Sequence, residues 1–291
     1  MFKFRYVNSE GQDLILGQDA PFFVTSREGF GAVENDVTTS KQYGMAGALF
    51  VGQQLATREI SIKGEIVADT NDEMNERRSE MINIFNPDLA GTLFYTIENN
   101  NYMIDVVVDI APDIDAVDNM GHQAFDIKLK ALDPYFIDVT QYDRLISLSG
   151  IKKAWTFPTR IYDEFHFAEL ESGKLVNIVN NGAVAVGVEA TMTISSVVTD
   201  IRIYKVETQE FFGFTGTFSA GTVLKLNTKR GKKSVTMTSP AGVTTNAMPL
   251  RMTGSSFIQM DKGDNWLQVQ AEVGSTSVIT NLSFNPLVLG V

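Results

Sequence analysis

Apolar and polar residues alternate with period two along much of this chain. That alternation limits what the chain can fold into, because successive side chains of a strand face opposite sides of a sheet. Ile60, Ile62 and Ile66 alternate with Glu59, Ser61, Lys63 and Glu65, and Phe125, Ile127 and Leu129 alternate with Asp126, Lys128 and Lys130. Ile104, Val106, Val108 and Ile110 are likewise expected to share one face. Segments of this kind are half-buried strands. One segment departs from the pattern. Thr70-Asn71-Asp72-Glu73 has the form of a capping box, and Met74, Met81, Ile82 and Phe85 follow at helical spacing until Asn86-Pro87 ends the run. A single helix over residues 70–86, about four turns long, is expected to lie with its Met, Ile and Phe stripe on a sheet.

Past residue 140 the texture changes. Residues 141–174, with Trp155-Thr156-Phe157-Pro158 and the aromatic stretch Tyr162 to Phe167, combine Pro breaks with an irregular period and read as a connecting region. Short strands are then expected at Ala190–Ser195, Asp200–Val206, Thr222–Leu226, Ser234–Thr238, Ser256–Met260, Trp266–Ala271 and Val278–Phe284, punctuated by Gly, Asn and Ser. Regularly spaced short strands with almost no helical signal indicate a β-sandwich or jelly roll. The expected fold class is mainly β with one helix: an N-terminal β-rich domain over residues 1–140 and a C-terminal β-sandwich over residues 175–291.

Charge divides the chain in the same way. Residues 1–150 carry 11 Lys and Arg against 24 Asp and Glu, a balance of −13, whereas residues 151–291 carry 13 against 11, a balance of +2. Two domains with different neighbours are implied, and the acidic front half is unsuited to gripping nucleic acid, which needs cations to replace phosphate counterions. With no cysteine in the chain, disulfides, thiolate metal ligation and cysteine nucleophiles are excluded. The opening Met1-Phe2-Lys3-Phe4-Arg5-Tyr6 has charges where a secretory leader needs apolar residues, and no apolar run approaches membrane-helix length. The expectation is no membrane insertion.

Signals for catalysis are weak. His122 and His166 are the only histidines and lack zinc-site spacing. Neither Gly173-Lys174 nor Gly231-Lys232 completes a phosphate loop, and Ser255 and Ser256 lack the glycines of a nucleophile elbow. The acidic stretch from Asp109 to Asn119 fails as an EF-hand: starting at Asp113, Val117, Asp118 and Ala124 occupy positions that need a ligand, a glycine and a glutamate. It reads as a solvated loop. Paired carboxylates for glycoside hydrolysis depend on a spatial separation that sequence does not display. No cofactor, no metal and no enzymatic activity are expected.

Several segments, taken in order, resemble the siphophage distal tail protein family over essentially the whole chain. They are Val7-Asn8-Ser9-Glu10-Gly11 with Leu14-Ile15-Leu16, Gly29-Phe30-Gly31, Arg58 to Gly64, the helix ending in Asn86-Pro87, Asp133-Pro134-Tyr135-Phe136, and Ser256 to Asn265 before a closing strand. The chain lacks the proline the family often shows after the turn Asn180-Asn181-Gly182, and Lys262 stands where a proline often precedes Gly263. The resemblance implies a homohexameric ring built by the N-terminal domain and an outward galectin-like C-terminal β-sandwich. It places the ring at the virion tail tip, or baseplate, between the tail tube protein and the tail-associated hub protein, with receptor-binding proteins held by the outer domains in many relatives.

Two groups of candidate site residues follow. Asp109, Asp113, Asp115 and Asp118 are candidate channel-lining acids, because a ring through which DNA passes without specific binding gains from a repelling bore. Lys229, Arg230, Lys232 and Lys233 form the basic tip of an expected hairpin between Leu224/Leu226 and Val235/Met237, a candidate contact for an acidic partner subunit. The alternative function is a carbohydrate-binding module that recognises the host cell wall. Exposure of Trp266 or Phe257 would favour the module; burial of both would favour the ring adaptor.

Overall fold

The structure, a computed structural model, describes residues 2–44, 46–114, 121–141, 144–153, 168–171 and 174–291. It divides into two units, one made of Met1–Thr140 with Leu287–Val291 and the other of Gln141–Pro286. The expected connecting-region features Trp155 to Pro158 and Tyr162 to Phe167 lie outside the described residues.

The first unit contains β1 (Phe2–Asn8), β2 (Asp13–Gly17), β3 (Phe22–Glu28), β4 (Asn35–Ser40), β5 (Leu49–Leu55), β6 (Arg58–Val67), α1 (Asn71–Ile84), β7 (Ala90–Ile97), β8 (Asn100–Ile114), β9 (His122–Ala131) and β10 (Phe136–Asp138). Strands in the order β8-β7-β1-β2-β3-β6-β9 return to β8, so the sheet closes as a barrel. Closure depends on the length of β8. Its fifteen residues pair along one stretch with β10 and along another with β9. Every alternating run named above supplies buried residues to the core, with one correction. Ile110 is 48% exposed, because register shifts between Val108 and Ile110 and again between Ile110 and Asp113 break the alternation that buries Ile104, Val106 and Val108.

Helix α1 begins as expected. Thr70 Oγ1 accepts from the Glu73 N–H at 3.2 Å, and the Glu73 carboxylate accepts from the Asp69 N–H at 3.0 Å, one residue outside the usual box. Its stripe is Met74, Met81, Ile84 and Phe85, while Ile82 is 45% exposed. Ile82 follows Met81 directly and so turns about 100° away from it, whereas Ile84 and Phe85 lie three and four residues on and share its face. Phe85, buried at the helix C-cap, stacks on Tyr6 at a 4.3 Å centroid distance. Gly91 makes room for this pair, since a Cβ there would sit 2.4 Å from the Tyr6 ring.

In the second unit the strands are β11 (Ile146–Ser147), β12 (Gly150–Lys153), β13 (Ala168–Glu171), β14 (Val176–Asn180), β15 (Val186–Gly187), β16 (Glu189–Ile194), β17 (Val198–Lys205), β18 (Phe211–Phe218), β19 (Val223–Asn227), β20 (Ser234–Thr238), β21 (Thr244–Asn246), β22 (Gln259–Met260), β23 (Gly263–Val273) and β24 (Val278–Ser283). They form a six-stranded sheet, β11-β24-β16-β19-β20-β21, and a four-stranded sheet, β14-β23-β17-β18, with the short pairs β12-β13 and β15-β22. Each larger sheet has one buried face: Met192, Leu224 and Leu282 on the first, Ile201, Ile203 and Leu267 on the second. This is the make-up of a β-sandwich. The expected strand over Ser256–Met260 shortens to β22, because the Ser255 and Ser256 amides donate instead to the Met252 and Phe211 carbonyls.

The last strand, β25 (Leu287–Val288), pairs with β10 and so belongs to the barrel unit. Arg58 fixes this return. It is 2% exposed, and its guanidinium donates to the carbonyls of Pro134 (2.8 Å), Gly29 (2.5 Å), Gly31 (2.7 Å) and Leu289 (2.5 Å) while lying over the Phe136 ring. The Val291 amide adds a bond to the Phe30 carbonyl.

Candidate functional site

In the first unit, β4 and β5 pair only with each other and stand outside the barrel sheet. Both strands are exposed nearly throughout, and Val37, Tyr43, Leu49, Phe50 and Val51 are more than two-fifths exposed, Phe50 at 65%. An isolated two-stranded ribbon is marginal in water, and a run of uncovered apolar side chains is the usual mark of an interaction surface. Sequence reading missed this arm because Val37 and the run Leu49-Phe50-Val51 do not alternate with polar residues; the clustering itself was the available signal. The same unit carries an open groove of about 530 Å³ whose lining includes Phe94, Val106, Val107 and the 71% exposed Leu132.

The four candidate acids are only partly placed. Asp115 and Asp118 lie outside the described residues. Asp109 and Asp113 are exposed, and they belong to β8 rather than to a loop, since the strand continues to Ile114. Asp113 is the cross-strand partner of Asp126, a like-charged pairing that costs energy unless offset. Lys63, 3.6 Å from the Asp126 carboxylate, supplies the offset, and a polar depression of about 410 Å³ gathers Lys63, Glu65, Asp113 and Asp126. His122 is exposed with Nδ1 3.2 Å from the Glu65 carboxylate, and His166 lies outside the described residues. Among the described residues, His, Asp and Glu do not assemble in a group of three or more able to hold a metal ion.

The basic turn is a hairpin tip as expected, with Leu224 opposite Met237 and Leu226 opposite Val235. Its four cations are not equivalent. Lys229 reaches Glu189 at 3.0 Å and Lys233 lies 5.1 Å over the Phe257 ring, while Arg230 and Lys232 are exposed at the turn. Phe257 is half-buried and also contacts the Phe212 ring at 5.2 Å, whereas Trp266 is 39% exposed on β23. Trp155 lies outside the described residues.

The segment Ser256 to Asn265 owes much of its form to one amide. Asn265, fully buried, donates to the Asp261 carbonyl at 2.8 Å and the Gly263 carbonyl at 2.9 Å and accepts from the Asp261 N–H at 2.8 Å, which closes the turn into β23. Asn180 does the same for the turn at Gly182, bonding Val184, Met260 and the Gly182 amide.

Among the described residues the first unit is a closed barrel with an uncovered arm and the second a β-sandwich, and the features that stand out are surfaces. Two family models match the chain: a phage tail protein RIFT-related domain over residues 9–131, and the C-terminal domain of a siphovirus-type tail component over residues 181–286. The chain belongs to the siphovirus distal tail protein family, whose members are structural tail and baseplate components. Among solved structures it is similar to the Dit protein of phage SPP1, described as a paradigm of the hub adsorption apparatus in phages that infect Gram-positive hosts, at 12% identity and a TM-score of 0.69 over 98% of each chain. A chain of the phage p2 baseplate in its activated conformation with strontium also matches, at 9% identity and a TM-score of 0.46 over 98% of each chain. No curated protein sequence gives a significant match.

Proposed function

We propose that this chain is the ring adaptor of a siphovirus tail tip. Six copies would close head to tail through the barrel unit, joining the tail tube protein to the hub protein and carrying the receptor-binding apparatus outward. The particle would be assembled in the host cytoplasm. The observation that carries this reading is the β4-β5 arm, whose apolar side chains are uncovered in the single chain. A cyclic head-to-tail interface needs two different complementary patches on each copy. The arm is one, and the groove lined by Phe94, Val107 and Leu132 is a candidate for the other. The excess of acid over residues 1–150 suits a bore that passes DNA without holding it. Asp109 and Asp113, exposed on β8, are assigned to that lining together with Asp115 and Asp118. Arg230 and Lys232 are assigned to contact with an acidic partner.

Electron microscopy of the purified chain, alone and mixed with tube protein, tests this directly. Sixfold rings are expected. Removing the arm, residues 36–54, should leave a cooperatively folding chain that no longer forms rings. A monomer under both conditions, or a ring whose bore is lined by neutral or basic side chains, would overturn the corresponding part of the reading.

A further inference from the structure

On the four-stranded sheet, Ile201, Ile203, Leu267 and Val269 turn to the core, so the residues alternating with them on β17 and β23 turn outward. Trp266 is one of these. Tyr204 stands opposite Gln268 and Phe211 opposite Tyr204, which sets Trp266, Tyr204 and Phe211 in a diagonal across three adjacent strands. Diagonal neighbours on one face are about 7–8 Å apart and directly opposed ones about 5 Å. Polar groups flank this aromatic track and are already held in place. Arg202 Nε donates to Gln270 Oε1 at 2.7 Å, Gln270 Nε2 to Gln268 Oε1 at 2.7 Å, and Asn177 Nδ2 to Asp264 Oδ1 at 2.7 Å. The Trp266 backbone N–H is anchored on the Glu207 carboxylate at 2.6 Å.

We propose that this sheet face is a binding site for a neutral polysaccharide. A pyranose ring offers an apolar C–H face that stacks on an aromatic ring, and a rim of hydroxyls that both donate and accept. Amides fixed in plane, with one donor and one acceptor end, match that rim. The charges on the face point the same way. Arg202 is set against Asp264, Glu207 and the exposed Glu272, so the face lacks the cation excess that a nucleic acid or anionic polymer requires. Side chains already bonded to one another lose little freedom on binding. The site does not depend on ring formation, so a monomeric chain that binds sugar would still uphold it.

The test uses the full chain with soluble gluco-, galacto- and N-acetylglucosamine oligosaccharides as probes. In a Trp155→Phe background Trp266 is the sole tryptophan, and its emission should shift saturably with at least one series at a dissociation constant of about 0.1–1 mM. Calorimetry on the parent chain repeats the measurement should that background fail to fold. Trp266→Ala should abolish binding, and Gln268→Ala with Gln270→Ala should weaken it about tenfold, while the melting transition stays in place. No saturable binding of any neutral series would overturn the proposal. So would binding that survives Trp266→Ala, or binding confined to an anionic polysaccharide or to a second copy of the chain.

Discussion

Arg58 is a full charge in a place where a strand residue facing a core is normally apolar, and none of the four groups it bonds is a carboxylate. Burial pushes its pKa below the ordinary arginine value. Its removal leaves carbonyls without donors, so Arg58→Ala is expected to cost about 3 kcal/mol or more in denaturant unfolding. Deleting residues 287–291 removes the Leu289 acceptor along with the β10–β25 pairing and the Val291 bond to Phe30, so the double change is expected to cost more than either change alone but less than their sum, because the Arg58–Leu289 bond is lost in both. Tyr6 presents the reverse case. Its hydroxyl is buried without a hydrogen-bond partner, and burial raises its pKa above 10.0. The folded chain therefore holds that proton more tightly than the unfolded chain, and the resulting stability is complete below about pH 10 and declines as pH rises through the folded value. Tyr95, raised by burial and lowered in part by Arg27, acts in the same direction. Tyr6→Phe is expected to leave stability at pH 7 unchanged or about 1 kcal/mol higher and to reduce the alkaline loss, as melting at pH 7 and pH 10.5 would show.

At the scale of elements, strands with clean alternation were legible. β6, β9 and β20 lie where Ile60 to Ile66, Phe125 to Leu129 and Ser234 to Thr238 put them. The helix was legible too, because Thr70 and Glu73 mark its start and Asn86-Pro87 its stop. What escaped had physical reasons. β18, Phe211 to Phe218, contains two glycines and apolar residues in succession, so no period emerges. The phase of Ile110 is set by β8 shifting register against β9, a tertiary event that local spacing does not record. Arg58 breaks the alternation only in residue type, and its partners lie as far away as Leu289. Asp109 and Asp113 were found as residues but misread as part of a loop, since β8 runs on through both. The arm was not found, since a ribbon that awaits a cover carries no inward face for a pattern to mark. A single polar change there, Phe50→Asp, should disrupt assembly while shifting the melting temperature of the chain by no more than about 2 °C, because no described core contact is lost.

For the whole molecule, the chain crosses between its units twice, once at Thr140–Gln141 and once at Pro286–Leu287. Residues 174–286 are therefore proposed as the part of the second unit to express alone, with β25 omitted because its partners lie in the barrel unit. Cooperative unfolding of that fragment is the expected result, and a gradual, non-cooperative melt would count against the division. The double crossing also has a mechanical meaning. An appendage joined by one peptide is lost at the first cut. Here a break at Pro286–Leu287 leaves the earlier connection intact, and a break near Thr140 leaves the appendage hanging from β25, which Arg58, the pairing with β10 and the Val291 bond to Phe30 retain without a covalent link. Attachment is redundant, and a pull on the appendage enters the barrel through two neighbouring strands, β10 and β25, rather than one, since Leu287 pairs with Ile137 just before the first crossing.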